Sequence, residues 1–151
     1  MNNKKILFII PIVLLLAFFS SRLMLGFIQS DKSVRELAIE RVNIIQANYN
    51  NDDLLWIYNE GTDDFKKITP KDNFILLMKR KKEVLGDFVN SELLASNVVN
   101  SNVVMLTYRS TYKNYSLIEE FKFIRKNKDD DLKLGTYFID DGGKRGEVIR
   151  Q

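Results

Sequence analysis

Val103-Val104-Met105-Leu106-Thr107-Tyr108 and, after Lys113-Asn114-Tyr115, Leu117-Ile118-Glu119-Glu120-Phe121-Lys122-Phe123 are the two stretches that decide the fold class. In the first, Val103, Met105 and Thr107 point one way, while Val104, Leu106, Tyr108 and Tyr112 point the other. In the second, Leu117, Glu119, Phe121, Phe123 and Arg125 alternate with Ser116, Ile118, Glu120, Lys122 and Ile124. A two-residue period is the pattern of a half-buried strand, because successive side chains leave opposite sides of its backbone. Leu132 to Ile139 supplies a further strand, and Asp87 to Val99 a less regular first one. The separators Asn100-Ser101-Asn102, Lys113-Asn114-Tyr115 and Asn127-Lys128-Asp129-Asp130 are short and turn-rich. Such separators suit an antiparallel meander.

Upstream of Gly86 the period is helical. Val34, Leu37, Ala38, Val42, Ile45 and Tyr49 recur at steps of three and four, and Ser33-Val34-Arg35-Glu36 matches a capping box at the start of that helix. Asn50-Asn51-Asp52-Asp53 interrupts the pattern and caps a short helix from Leu54 to about Asn59, stopped by Gly61. That segment carries Trp56 and Tyr58, both expected to fill core. Thr69-Pro70-Lys71-Asp72 reads as another helix start, with Thr69 as cap and Pro70 in the first helical position. Phe74, Leu77, Met78, Lys81 and Leu85 trace its apolar face, and Gly86 ends it. Three helices followed by four strands predict an α+β fold, the helices packed on one face of a curved four-stranded antiparallel sheet.

This order resembles the nuclear transport factor 2-like, or cystatin-like, cone. The local features Trp56-Ile57-Tyr58, Phe65-Lys66-Lys67-Ile68-Thr69, the Leu85-Gly86 stop and Glu119-Glu120-Phe121-Lys122-Phe123 resemble small exported bacterial domains of that superfamily. So does the closing Leu132-Lys133-Leu134-Gly135-Thr136-Tyr137-Phe138-Ile139. The resemblance covers about Val34 to Asp140. It implies a cone whose mouth takes small ligands or partner segments, and it implies no particular activity.

The N-terminus has a different character. Lys4-Lys5 precedes the apolar run Ile6 to Phe19, and apolar residues resume after Ser20-Ser21-Arg22 as far as Ile28. A helix over Ile6 to Ile28 would span about 34 Å, enough for a roughly 30 Å hydrocarbon layer. Small residues near the end of the run follow bulky ones two positions earlier (Phe18 before Ser20, Phe19 before Ser21), a poor match to a signal-peptidase site. Residues 1–30 are therefore expected to form an N-terminal transmembrane helix, an uncleaved single-pass anchor in the cell membrane. Lys4 and Lys5 keep the short end in the cytoplasm and send the C-terminal domain out. Cleavage of the same leader would make the protein secreted. Residues 31–140 then form the cystatin-like domain and 141–151 a flexible tail.

The charge balance follows from this division. The chain has 23 basic and 20 acidic residues, and three of the basic ones (Lys4, Lys5, Arg22) precede the first acidic residue, Asp31. The remaining residues, 31–151, are neutral overall and have no surplus of cations to displace counterions from phosphate, so nucleic acid is not an expected partner. The run Lys79-Arg80-Lys81-Lys82 is expected to be a solvated helix face. The expected partners are the membrane, through the leader, and a protein outside the cytoplasm.

Absent residue types bound the chemistry. With no Cys and no His the chain has no thiolate nucleophile, no Ser-His-Asp triad and no ordinary zinc site. No metal or other cofactor is expected. The remaining candidates for a ligand site in the cone are Tyr108, Tyr112, Glu119 and Glu120, a carboxylate among apolar residues being able to move a proton when its pKa is raised. The competing expectation places one glutamate in water and the other in a cross-strand pair with Arg109 or Lys122. The function expected is a membrane-tethered, non-catalytic binding or assembly module, similar in layout to the bitopic scaffold component of type IV secretion. The alternative is a small-molecule-binding protein or acid-base enzyme using the cone.

Overall fold

The computed structural model describes residues 31–140 and 149–150. The expected anchor at 1–30 and most of the expected tail at 141–151 lie outside the described residues. Among the described residues no helix is long and apolar enough to cross a membrane.

Among the described residues four helices precede the sheet, one more than the periodicity predicts there. Helix α1 covers residues 31–50 and buries Val34, Ala38, Val42, Ile45 and Tyr49. Leu37 does not join them and is 47% exposed. At about 100° per residue it lies roughly 100° from the middle of that stripe, too far round to reach the core. Helix α1 is also already formed at residue 31, so Ser33 sits inside it and does not cap it. Helix α2 (Leu54–Asn59) starts as expected, the Asp53 carboxylate accepting from the Trp56 amide.

The added element is α3 (Asp63–Ile68). Thr62 caps it by accepting from the Phe65 amide, Asp63 and Asp64 occupy its first turn, and Lys66 and Lys67 its last. Each of those charges favours a helix end of the opposite sign. One turn and a half holds a single buried residue, Phe65, too little to show as a period. Thr69, expected to cap the next helix, instead closes α3, and α4 (Lys71–Leu85) begins after Pro70 with no side-chain cap.

The sheet is an antiparallel meander of β1 (Phe88–Val99), β2 (Val103–Tyr112), β3 (Tyr115–Ile124) and β4 (Lys133–Asp140) in that order. A two-residue strand β5 (Ile149–Arg150) pairs with Tyr115 and Ser116. Its inner face carries Val104, Leu106, Tyr108, Ser110 and Tyr112 from β2 and Leu117, Glu119, Phe121 and Phe123 from β3, all buried. The helices supply most of the rest of the core, α1 through its buried stripe, α2 through Leu54, Ile57 and Tyr58, α3 through Phe65 and α4 through Phe74, Met78 and Leu85, with Leu132 and Leu134 joining from the β4 end. Register shifts at Phe88/Asn90 and Leu93/Ala95 in β1, and beside Lys122/Phe123 where Gly135 has no opposite residue, are bulges that bend a sheet.

Two glycines position the site. Gly86 ends α4 with φ 77° and ψ −160°, a conformation open almost only to glycine, and its amide bonds the Lys82 carbonyl. The Tyr49 hydroxyl donates to the Gly86 carbonyl, so the end of α1 is tied to the end of α4. Gly61 lies against Leu134 of β4, where the Thr62 amide bonds the Leu134 carbonyl and the Leu134 amide the Glu60 carbonyl. A Cβ at Gly61 would stand 2.4 Å from a Phe65 ring carbon, so the α2–α3 corner docks on β4 only without a side chain there.

Candidate functional site: a buried lysine, glutamate and tyrosine cluster

The strand parity that buries Leu117, Phe121 and Phe123 also turns Glu119 inward and Glu120 outward. Glu119 is fully buried, and the ammonium of Lys81 from α4 stands 2.7 Å from its Oε1. Lys81 is thus the exception in its charge run. Lys79 and Arg80 are solvated as expected, and Lys82 is only partly covered, bonding the Tyr49 and Asn50 carbonyls and the Asp52 carboxylate. Lys81 lies on the apolar stripe of α4, so the same helix geometry that buries Met78 and Leu85 buries its amine.

Two tyrosines complete the cluster. Lys81 Nζ donates to the hydroxyls of Tyr112 (2.5 Å, from β2) and Tyr137 (2.7 Å, from β4) as well as to Glu119, so its three protons are all placed. Each phenol in turn donates a hydrogen bond to the same carboxylate. Tyr112 lies 2.9 Å from both Oε1 and Oε2, and Tyr137 bonds Oε1. A third ring, Tyr49 from α1, stands with its centroid 4.5 Å from the ammonium, and its own hydroxyl is engaged by Gly86. Tyr49 meets Lys81 through its ring alone, a cation–π arrangement, whereas Tyr112 and Tyr137 meet the amine through oxygen as well as with ring centroids at 4.4 and 5.4 Å.

The electrostatics follow from burial opposed by pairing. Burial pushes the Glu119 carboxyl up, but the Lys81 charge and the bonds from Lys81, Ser110 and Tyr137 outweigh it, and the net direction is down. The Ser110 hydroxyl helps hold that charge although it falls short of a well-formed hydrogen bond. Burial also lowers Lys81, with Glu119 opposing. Tyr112 and Tyr137 are raised well above 10, first by burial and then by the negative carboxylate. The chemical consequence is a carboxylate kept ionised and saturated with donors, the reverse of the raised pKa expected of a proton shuttle.

Of the four residues expected at a ligand site, the structure brings Tyr112 and Glu119 together. Tyr108 pairs in register with Glu119, yet its buried hydroxyl has no hydrogen-bond partner among the described residues. Glu120 is on the opposite face of the sheet. The expected cross-strand partners of the inward glutamate are corrected as well. Arg109 and Lys122 both point outward by parity, and Arg109 bonds Glu92 of β1 at 3.2 Å. Sequence reasoning missed Lys81 and Tyr137 as members. The available signal for Lys81 was its position on the Phe74, Met78, Leu85 stripe, where a charged residue implies a buried partner.

The stranded Tyr108 hydroxyl gives a direct test. An unsatisfied buried hydroxyl costs on the order of 1–3 kcal/mol, so Tyr108→Phe is expected to raise the stability of the protein by about 1 kcal/mol in urea unfolding. A loss of stability instead would mean that the hydroxyl has a partner the chain does not supply.

No family model matches this chain, and no curated protein matches it.

Proposed function

We propose that the protein is a membrane-tethered binding or assembly module that works outside the cytoplasm and has no catalytic activity of its own. The observation that carries this reading is the closure of the cluster. Glu119 is fully buried, ionised and bonded to Lys81, Tyr112 and Tyr137, so it ties α4 to three strands and is not presented to a substrate. The tether rests on the apolar Ile6 to Ile28 stretch behind Lys4 and Lys5, and α1 is under way at residue 31, three residues beyond Ile28. The α+β arrangement is read further as a cystatin-like cone of the nuclear transport factor 2-like superfamily, which the helices on one sheet face and the bulged strands support.

One observation favours the second reading, a small-molecule carrier or acid-base enzyme using the cone. Tyr108 and Ser110 lie two residues apart on the inner face, and neither hydroxyl makes a well-formed hydrogen bond among the described residues. A stabilising Tyr108→Phe would remove that support. For the location, alkaline phosphatase fused after Gln151 is expected to be active, and a fusion that works only as a cytoplasmic reporter would reverse the topology. The mass of the native protein separates an anchor from a cleaved leader. Crosslinking in the native membrane should trap a protein partner of the domain.

A further inference from the structure

Strand β1 ends the sheet among the described residues, pairing with β2 alone. It holds one charge, Glu92, and neither lysine nor proline, the residues that commonly close an edge to further pairing. Leu93 and Leu94 are 39% and 43% exposed on it. Phe88 fixes which backbone groups look outward. The Asn50 side chain donates to its carbonyl and accepts from its amide, as a residue of a neighbouring strand would. Phe88 opposes Tyr112, and β2 continues from there without a bulge, so the partners of its other even-numbered residues also face away from it. They are Ser91, Leu93, Ser96 and Val98, opposite Ser110, Tyr108, Leu106 and Val104. Among the described residues no strand lies beside them to take their amides and carbonyls.

Helix α1 runs beside this edge. The Ser101 hydroxyl donates to Asp31 just past one end of β1 and Asn50 holds Phe88 at the other, so α1 runs antiparallel along the whole strand. At about 100° per residue, Arg35 and Ile39 lie roughly 60° and 100° from the middle of the buried stripe of α1, on the side of Asn50. Arg41, on the opposite side, turns to Glu60. Arg35 and Ile39 therefore flank β1. Arg35 is about 6 Å in from the Asp31 end, level with about Val98. Its Nε is buried without a hydrogen-bond partner, and among the described residues its charge has no ion-pair partner.

We infer that the β1 edge takes an extended segment of another protein, which adds to the sheet as a strand antiparallel to β1. Its residue opposite Val98 turns its side chain to the α1 side, where the unpaired Arg35 fits a carboxylate. Its residues two and four positions on oppose Ser96 and Leu93, the bulged Leu94 being passed over, and face the same side. There Leu93 and the partly buried Ile39 fit apolar side chains. The segment is thus acidic at its start and then apolar at alternate positions. The backbone ladder supplies affinity, and the alternate side chains select the partner. The inference rests on the assembly reading and gives its partner a chemistry.

The test uses the full chain in detergent micelles and a capped, fluorescein-labelled peptide, Asp-Thr-Val-Thr-Val-Thr-Thr, read by fluorescence anisotropy against empty micelles. The peptide is expected to bind, and its counterpart with lysine in first place to bind about tenfold more weakly or worse. Arg35→Glu is expected to reverse that preference, with far-UV circular dichroism checking that the variant folds. A second measurement keeps the wild-type chain. Methylating the peptide nitrogens at positions three and five, which face β1, is expected to abolish binding, and methylating those at two and four to leave it unchanged. A peptide that does not bind, a response blind to the methylated position, or a folded Arg35→Glu that keeps the wild-type preference would each overturn the inference. Dimerisation of the chain alone in sedimentation, reversed by the peptide, would assign the edge to a second copy and overturn it too. Each of these results leaves the assembly reading to another surface. Absence of any crosslinked partner in the native membrane would sink that reading even if the peptide binds.

Discussion

Lys81→Met is expected to destabilise the protein by about 3–5 kcal/mol, the cost of leaving a buried carboxylate without its partner. The Lys81 side chain is 5% exposed, so water cannot replace its amine, whose loss strips the Tyr112 and Tyr137 oxygens of a donor as well as Glu119. The double variant Lys81→Met with Glu119→Gln is expected to recover much of that loss, because a neutral amide can still accept from the two phenols and needs no counter-charge. Urea unfolding of both variants reads the difference. If the single variant costs less than about 1 kcal/mol, the cluster does not tie α4 to the sheet and the reading of it as a structural node fails. A double variant as unstable as the single one would show instead that the phenol network, not the charge pair, holds the site.

Acidification is expected to produce the second large effect. Glu119 has a folded pKa below its ordinary 4.5, so the unfolded chain takes up its proton first as the pH drops. The stability this carboxylate contributes is fully present above about pH 4.5 and is lost as the pH falls through the lower folded value. Alkali acts through the other members. Tyr49, Tyr108, Tyr112 and Tyr137 all have folded values above 10, so above that pH the unfolded hydroxyls ionise while the folded ones resist, and stability falls again. Lys81 works in the opposite sense, its folded pKa lying below 10.5, but it is one group against four. Thermal unfolding across pH 3 to 11 should therefore show a plateau with a fall on either side. In Lys81→Met with Glu119→Gln the acid fall should shrink, and an unchanged acid limb would assign it to other carboxylates.

The strands illustrate how far local pattern reaches. All four were legible within a residue or so, because a sheet with one buried face writes its parity into Val104, Leu106 and Tyr108 and into Leu117, Phe121 and Phe123. The same parity places Glu119 inside and Glu120 outside. The helix α3 was not legible, since six residues with one buried ring carry no period, and its caps matter only once Gly61 docks on Leu134. Thr69 therefore closes α3, where the pattern of neighbours predicts a cap for α4.

The amino-acid order by itself determined the α+β class, the order of strands, the neutral balance of residues 31–151 and the absence of thiol and imidazole chemistry. Each of these is a property of neighbours along the chain or of composition. The partners of Glu119 were decided only in three dimensions. Lys81 lies 38 residues before it and Tyr137 18 after, and nothing local sets their distance. They meet because α4 crosses the inner face where β2, β3 and β4 turn their polar side chains inward, and there a charge excluded from water is held by whichever opposite charge the packing brings within reach.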